Sequence, residues 1–172
     1  MRGLARTVFS SLRDHSEDGT ELWRFLDVEF RTPEGLRLLK PSLQSGCVRM
    51  LFGAGRTRLE FVRASLAEVV LARRQLVDWF REFYRPALKR RSYELREERI
   101  RSHPGVRLEG RPWLLVNPLR LIGRRMVVEG ACWHCEATNR LFVCCYDGPE
   151  AGREELARAV EALSLIHISE PT

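Results

Sequence analysis

Apolar and polar positions alternate through the first third of the chain, and the alternation predicts strands. From Glu21 to Glu34, Leu22, Leu26, Val28 and Phe30 fall on one phase, and Thr32-Pro-Glu-Gly35 reads as the turn that closes this strand. Leu36 to Lys40 predicts a short second strand. After a turn at Gln44-Ser-Gly46, Val48, Met50 and Phe52 alternate with Cys47, Arg49 and Leu51, and Gly53-Ala-Gly55 reads as a hairpin turn. Thr57, Leu59 and Phe61 then oppose Arg58, Glu60 and Val62, which describes a strand with one wet face. A meander of three or four antiparallel strands accounts for all of this.

The period then changes from two to about 3.6. Ser65-Leu-Ala-Glu68 has the form of a capping box, in which the Ser hydroxyl and the Glu side chain satisfy each other's backbone amides. Leu66, Val69, Val70, Val77, Phe80 and Tyr84 follow at helical spacing, with Trp79 and Phe83 beside the stripe as core aromatics. Arg73 and Arg74 interrupt the stripe, so the pattern fits one helix or two short ones meeting there. Arg85-Pro86 is expected to end it or to begin another turn. From Ala87 to Arg101 the mixture of Arg and Glu favours a polar helix, although Leu95 and Ile100 are too few to bury a helical face.

His103-Pro-Gly105 predicts a turn. Val106 and Leu108 form one strand and Trp113 to Val116 another, broken at Arg111-Pro112. A loop at Asn117-Pro118 and Gly123-Arg-Arg125 leads to a final hairpin, Met126 to Tyr146. After Gly148-Pro149, Glu150 to Ala162 begins an amphipathic helix with Leu156 and Val160 on its apolar side. The order implies an α+β fold: an antiparallel sheet built from two strand groups, a capped helix between them, and a C-terminal helix cut short.

Charge and composition narrow the setting. Twenty-nine Lys and Arg against 23 Asp and Glu give a net charge of +6, and 44% of residues are hydrophobic, which excludes a disordered chain. No window approaches the ~18 consecutive apolar residues that predict a membrane-spanning helix. The N-terminus has no secretory signal. Leu4, Val8 and Leu12 share a helical face, as in a transit peptide or a membrane-surface helix, but the run His15-Ser-Glu-Asp-Gly-Thr20 favours a flexible leader over residues 1–20. A cytoplasmic setting is expected. The arginines read as spread along the chain and interleaved with acids, as in Glu94-Leu-Arg-Glu-Glu-Arg-Ile-Arg101. Nucleic-acid binding is therefore expected to be weak, non-specific and salt-sensitive.

The last ten residues, Leu163-Ser-Leu-Ile-His-Ile-Ser-Glu-Pro-Thr172, resemble codon for codon the translation of the transposon-end adaptor used in sequencing-library preparation. Before this point only Lys40 and Lys89 interrupt an all-arginine basic content, which suits a GC-rich genome, whereas the tail carries Ile and His and no Arg. The expected organisation is a leader (1–20), a single α+β domain truncated at its C-terminus (21–162) and a non-native tail (163–172).

Four cysteines cluster in Cys132-Trp-His-Cys135-Glu-Ala-Thr-Asn-Arg-Leu-Phe-Val-Cys144-Cys145. A C-x-x-C followed by a second cysteine pair is the notation of a structural zinc site, with His134 as an additional ligand. Adjacent cysteines on a strand, however, point to opposite faces. If Glu136–Asn139 is a four-residue loop, Cys135 pairs with Arg140, Trp133 with Phe142, Ala131 with Cys144 and Cys132 with Val143. One face then carries Ala131, Trp133, Cys135, Phe142 and Cys144, and the other Cys132, His134, Leu141, Val143 and Cys145. The thiols divide two and two, and Cys132, Cys145 and His134 make only three ligands on one face. Core thiols around a Trp133–Phe142 cross-strand pair explain more of these residues, with no cofactor. Zinc held by Cys132, Cys135, Cys144, Cys145 and His134 is the alternative. A nucleophilic thiolate would need a neighbour such as His134 or Arg140.

No catalytic constellation stands out: no G-x-S-x-G, no H-E-x-x-H, no Asp-rich metal motif, no P-loop, and Gly53-Ala-Gly55 lacks the continuation of a dinucleotide fingerprint. The opening, Phe30-Arg-Thr-Pro-Glu-Gly35 as a strand followed by a Pro-Glu-Gly turn, resembles small α+β domains of the PsbP kind over about Leu22 to Leu71. That resemblance implies an antiparallel sheet backed by helices, serving as a binding or assembly module. The expected function is accordingly a non-catalytic binding or accessory module with a protein partner. Zinc binding and weak nucleic-acid binding are the alternatives.

Overall fold

The alternating stretch before Gly35 folds as a two-stranded ribbon and not as one strand. In a computed structural model that describes residues 19–25, 28–89, 91–100, 102–112, 126–154 and 157–159, β1 (Thr20–Phe25) pairs antiparallel with β2 (Val28–Pro33), setting Trp23 opposite Phe30. Two strands in the same phase read like one long strand, because alternation marks faces and carries no information on where the chain reverses.

The remaining elements follow as β3 (Arg37–Gln44), β4 (Cys47–Ala54), β5 (Thr57–Ser65), α1 (Ala67–Leu71), α2 (Leu76–Leu88), β6 (Arg91–Ile100), β7 (His103–Pro112), β8 (Met126–Cys135), β9 (Arg140–Pro149) and a 3-10 turn at Glu150–Gly152. Strands β3 to β9 form one antiparallel sheet in the order β3-β4-β5-β9-β8-β7-β6. The two strand groups meet where Phe61 of β5 faces Cys144 of β9. The fold is α+β, as the element order implied.

Both faces of this sheet are buried, which makes two cores. On one face the β1–β2 ribbon packs Phe30 over Phe52 and Phe61, with Trp23 edge-on to Phe52, and this core runs on through Trp133, Phe142, Tyr146 and Ile100. On the other face α2 lies across β6, β7 and β8, burying Trp79, Phe80, Tyr84 and Leu88 against Val62, Val106, Leu108, Val128 and Val143. Every second residue of β8 and β9 enters one core and its neighbours enter the other. Their sequences are therefore apolar almost throughout.

Four local expectations are corrected. Ser65 does not cap α1: it stays in β5, opposite Arg140, and Leu66 takes the N-cap position at φ 59 without a side-chain bond. Asn139, from the β8–β9 turn, supplies the cap instead, accepting from Ala67 N at its backbone oxygen (3.0 Å) and from Glu68 N at Oδ1 (2.8 Å). Pro86 does not end α2; it stands inside the helix on its exposed side, and the last turn continues far enough to bury Leu88. There the carbonyl deprived of a donor can be hydrated.

The ambiguous segment whose Arg and Glu suited a polar helix is in its greater part β6, an edge strand whose pairing with β7 overrides its helical composition. His103-Pro-Gly105 is the start of β7, and the reversal lies just before it, with Ser102 at φ 71. The break between helices at Arg73-Arg74 is present, since α1 and α2 are separate. Residues 157–159 are helical, with Ala159 buried in the ribbon-side core. The leader before Gly19, the strand expected at Trp113–Val116, Leu156, Val160 and the tail 163–172 lie outside the described residues.

Candidate functional site

The β8–β9 hairpin has the register read from sequence: Cys135 opposite Arg140, Trp133 opposite Phe142, Cys132 opposite Val143 and Ala131 opposite Cys144. Cys135 and Cys144 enter the ribbon-side core with the stacked Trp133–Phe142 pair, ring centroids 5.6 Å apart. Cys132 and Cys145 enter the helix-side core, and Cys145 Sγ sits where a Cβ on Gly130 would lie only 2.6 Å away. His134 is half-buried opposite Leu141, with its Nε2 buried and without a hydrogen-bond partner among the described residues. All five cysteines are free, and among the described residues no group of three or more His, Cys, Asp or Glu is placed to hold a metal ion. Burial pushes the thiols of Cys132, Cys144 and Cys145 up, away from the thiolate needed for nucleophilic attack.

The polar chemistry lies elsewhere, at the rim of α2. Glu60 on β5 is a buried carboxylate; it accepts from the Tyr84 hydroxyl of α2 (2.6 Å, Oε2) and from Arg49 Nε of β4. The guanidinium of Arg49 lies 5.5 Å from the Phe83 ring centroid, and Phe83 stacks on Trp79 at 5.0 Å. Burial raises the Tyr84 hydroxyl well above its usual range and keeps it a donor, while the bond to Glu60 holds Arg49 firmly protonated. This chain of contacts ties α2 to the sheet and fixes a half-exposed arginine at the boundary of the helical face.

On the helix-side face of β4, Cys47 packs against the helix-side core and Arg49 lies over Phe83, and beyond them the face passes to exposed side chains of β3. Pairing places Gln44 beside Cys47, Ser42 beside Arg49, Lys40 beside Leu51 and Arg37 beside Gly53, all on the face opposite Val48, Met50 and Phe52. A bulge between Leu38 and Lys40 swings Leu39 over Gly53 and next to Arg58, where it is 49% exposed. Arg58 donates to the carbonyls of Gly55 and Thr57, and Asp147, its cross-strand neighbour on β9, is bonded to Arg91. The flank thus presents exposed Leu39 and half-buried Leu51 among Arg37, Lys40, Arg49 and Arg58, with Glu60 and Asp147 as the neighbouring acids, each already bonded to another residue.

No family model matches the sequence, and no curated protein matches it. Among solved structures the chain is similar to the Ran-binding protein Mog1p of Saccharomyces cerevisiae, at 9% identity over 87% of this chain and 90% of that one, with a TM-score of 0.47. It is also similar to the cyanobacterial PsbP (CyanoP) of Synechocystis sp. PCC 6803, at 13% identity, 90% and 95% coverage and a TM-score of 0.47. A third is the Pseudomonas aeruginosa protein PA94, at 13% identity, 89% and 99% coverage and a TM-score of 0.37. The PsbP likeness, placed by sequence on the opening half, extends in structure over most of the chain. No residue role is carried over from it.

The flank was missed by reading the arginines as evenly interleaved with acids. That holds for Glu94–Arg101 and fails upstream. From Arg37 to Leu59 the chain carries Arg37, Lys40, Arg49, Arg56 and Arg58 and no Asp or Glu. An acid-free run across two consecutive strands was the available signal.

Proposed function

We propose that the chain is a small cytoplasmic binding or accessory module that engages a protein partner through the β3–β4 flank and catalyses no reaction of its own. The observation that carries this is the flank itself: a sheet face edged by an anchored arginine, with exposed Leu39 set among the exposed basic side chains of Arg37 and Lys40. An exposed Leu beside a pre-positioned Arg suits a partner surface, where Arg is enriched and desolvation is concentrated. The buried, raised thiols and the deeply buried Tyr84 offer no accessible nucleophile or base. Among the described residues no helix is long and apolar enough to cross a membrane.

The test is co-purification of tagged chain from its source cells at about 150 mM salt after nuclease treatment, comparing wild type with Leu39→Glu and with Tyr93→Glu on the opposite edge. A defined protein recovered with wild type and Tyr93→Glu, and lost with Leu39→Glu, supports the reading. Recovery that disappears with nuclease would favour nucleic acid instead, and such binding is expected to collapse between about 50 and 200 mM salt.

A further inference from the structure

We infer that the segment bound on the β3–β4 flank is acidic and aliphatic: a short stretch of a partner protein whose carboxylates meet Arg37, Lys40 and Arg58 while its apolar side chains cover Leu39 and Leu51. This rests on the reading of the flank as a protein-binding surface. Three features select the occupant.

The first is charge. Two acids lie beside Arg37, Lys40 and Arg58: Glu60, already engaged by Arg49 and Tyr84, and Asp147, which stands across from Arg58 on β9 and is already bonded to Arg91. The local excess is therefore positive and available to an approaching anion.

The second is that, among the described residues, no exposed aromatic ring is placed on this flank as a stacking platform. The aromatic ring at this rim is Phe83, which lies beneath the Arg49 guanidinium. Single-stranded nucleic acids need exposed rings under their bases, and here aliphatic Leu39 stands in that place. The surface therefore fits carboxylates with aliphatic neighbours better than phosphates with bases.

The third concerns the edge of β3. Pro41 has no N–H to offer, and the bulge between Leu38 and Lys40 interrupts the ladder that an added strand would extend. Recognition is therefore through side chains lying across the flank and not by extending the sheet.

The test is selection from a random peptide display library on the intact folded chain, followed by binding measurements with the enriched synthetic peptides. The expected winners are rich in Asp or Glu with Leu, Ile or Val. Their affinity falls about tenfold or more on the double substitution Lys40→Glu/Arg58→Glu. Replacing the peptide's acids by Lys restores binding to that variant. Arg58 is bonded to two turn carbonyls, so the melting temperature is checked in parallel, and Arg37→Glu/Lys40→Glu, both exposed, serves as a second variant with the same expected loss of affinity. Enriched peptides that are neutral or basic, or acidic peptides indifferent to the double substitution, would overturn the inference while leaving protein binding intact. A chain that enriches no peptide, and binds a dT oligonucleotide tightly at about 150 mM salt, would overturn both.

Discussion

At one edge of the sheet the basic groups of β6 and β7 are answered: Arg96 pairs with Glu94 and Arg107 with Glu98 within the two strands, while Arg91 reaches Asp147 of β9 and Arg111 reaches Glu150 of the 3-10 turn. At the other edge, β3 and β4 carry basic groups with almost nothing to answer them, and Leu39 beside them is half exposed. Both edges discourage accidental sheet extension, one with a lattice of charges and the other with Pro41 and a bulge. Only the first is also electrostatically satisfied. The contrast teaches that edge protection and partner recognition are separate requirements, and that a surface left unneutralised on a chain able to neutralise itself marks where a partner belongs.

The largest expected effect tests whether the two edges share one indifferent interior. Trp133→Ala or Phe142→Ala should each cost about 3–5 kcal/mol in denaturant unfolding, as loss of a large core side chain does. A cost below about 1 kcal/mol would mean that the hairpin joining the two halves is not their common core.

Alkali probes the same interior. Cys132, Cys144, Cys145 and Tyr84 all keep their protons in the fold above the pH at which they would ionise when unfolded. The unfolded chain then binds fewer protons than the native one, so stability is retained below the ordinary thiol value of 9.0 and lost as pH rises through it. Each group contributes about 1.4 kcal/mol per pH unit. Cys132→Ala should flatten this loss in unfolding curves measured between about pH 9 and 10.5. A slope unchanged by that substitution would remove Cys132 from the set.

Asn139→Ala should cost about 1 kcal/mol by freeing the Glu68 amide, with alanine placed at φ 51, while the Ala67 amide keeps its backbone acceptor, whereas Ser65→Ala should cost less. The reverse order would restore the local capping box.

The smallest stability effects belong to the edges themselves. Lys40→Ala and Glu98→Ala should each stay within about 0.5 kcal/mol of wild type by melting. Only the first should weaken partner capture.

Much of this architecture was legible in the sequence because its signals are local. The β8–β9 register follows from a four-residue loop and strict alternation, and it placed Cys132 and Cys145 apart from Cys135 and Cys144 without any coordinates. What was not legible depends on distant partners. Ser65 and Asn139 compete for the same amides, and only the pairing of β5 with β9 decides between them. β6 reads as helix until β7 lies beside it. The basic flank was hidden for another reason: averaging charge along the chain erases an excess that appears once Arg37, Arg49 and Arg58 stand on neighbouring strands.

The central claim is that the two edges differ in whether they are occupied, and a photo-cross-linking amino acid placed at each tests it most directly. Leu39, 49% exposed, and Tyr93, 39% exposed, are comparable positions on opposite edges. Irradiated in the source cell, the probe at Leu39 should form a discrete protein adduct and the probe at Tyr93 should not. Adducts of equal yield at both positions, or at Tyr93 alone, would contradict the account.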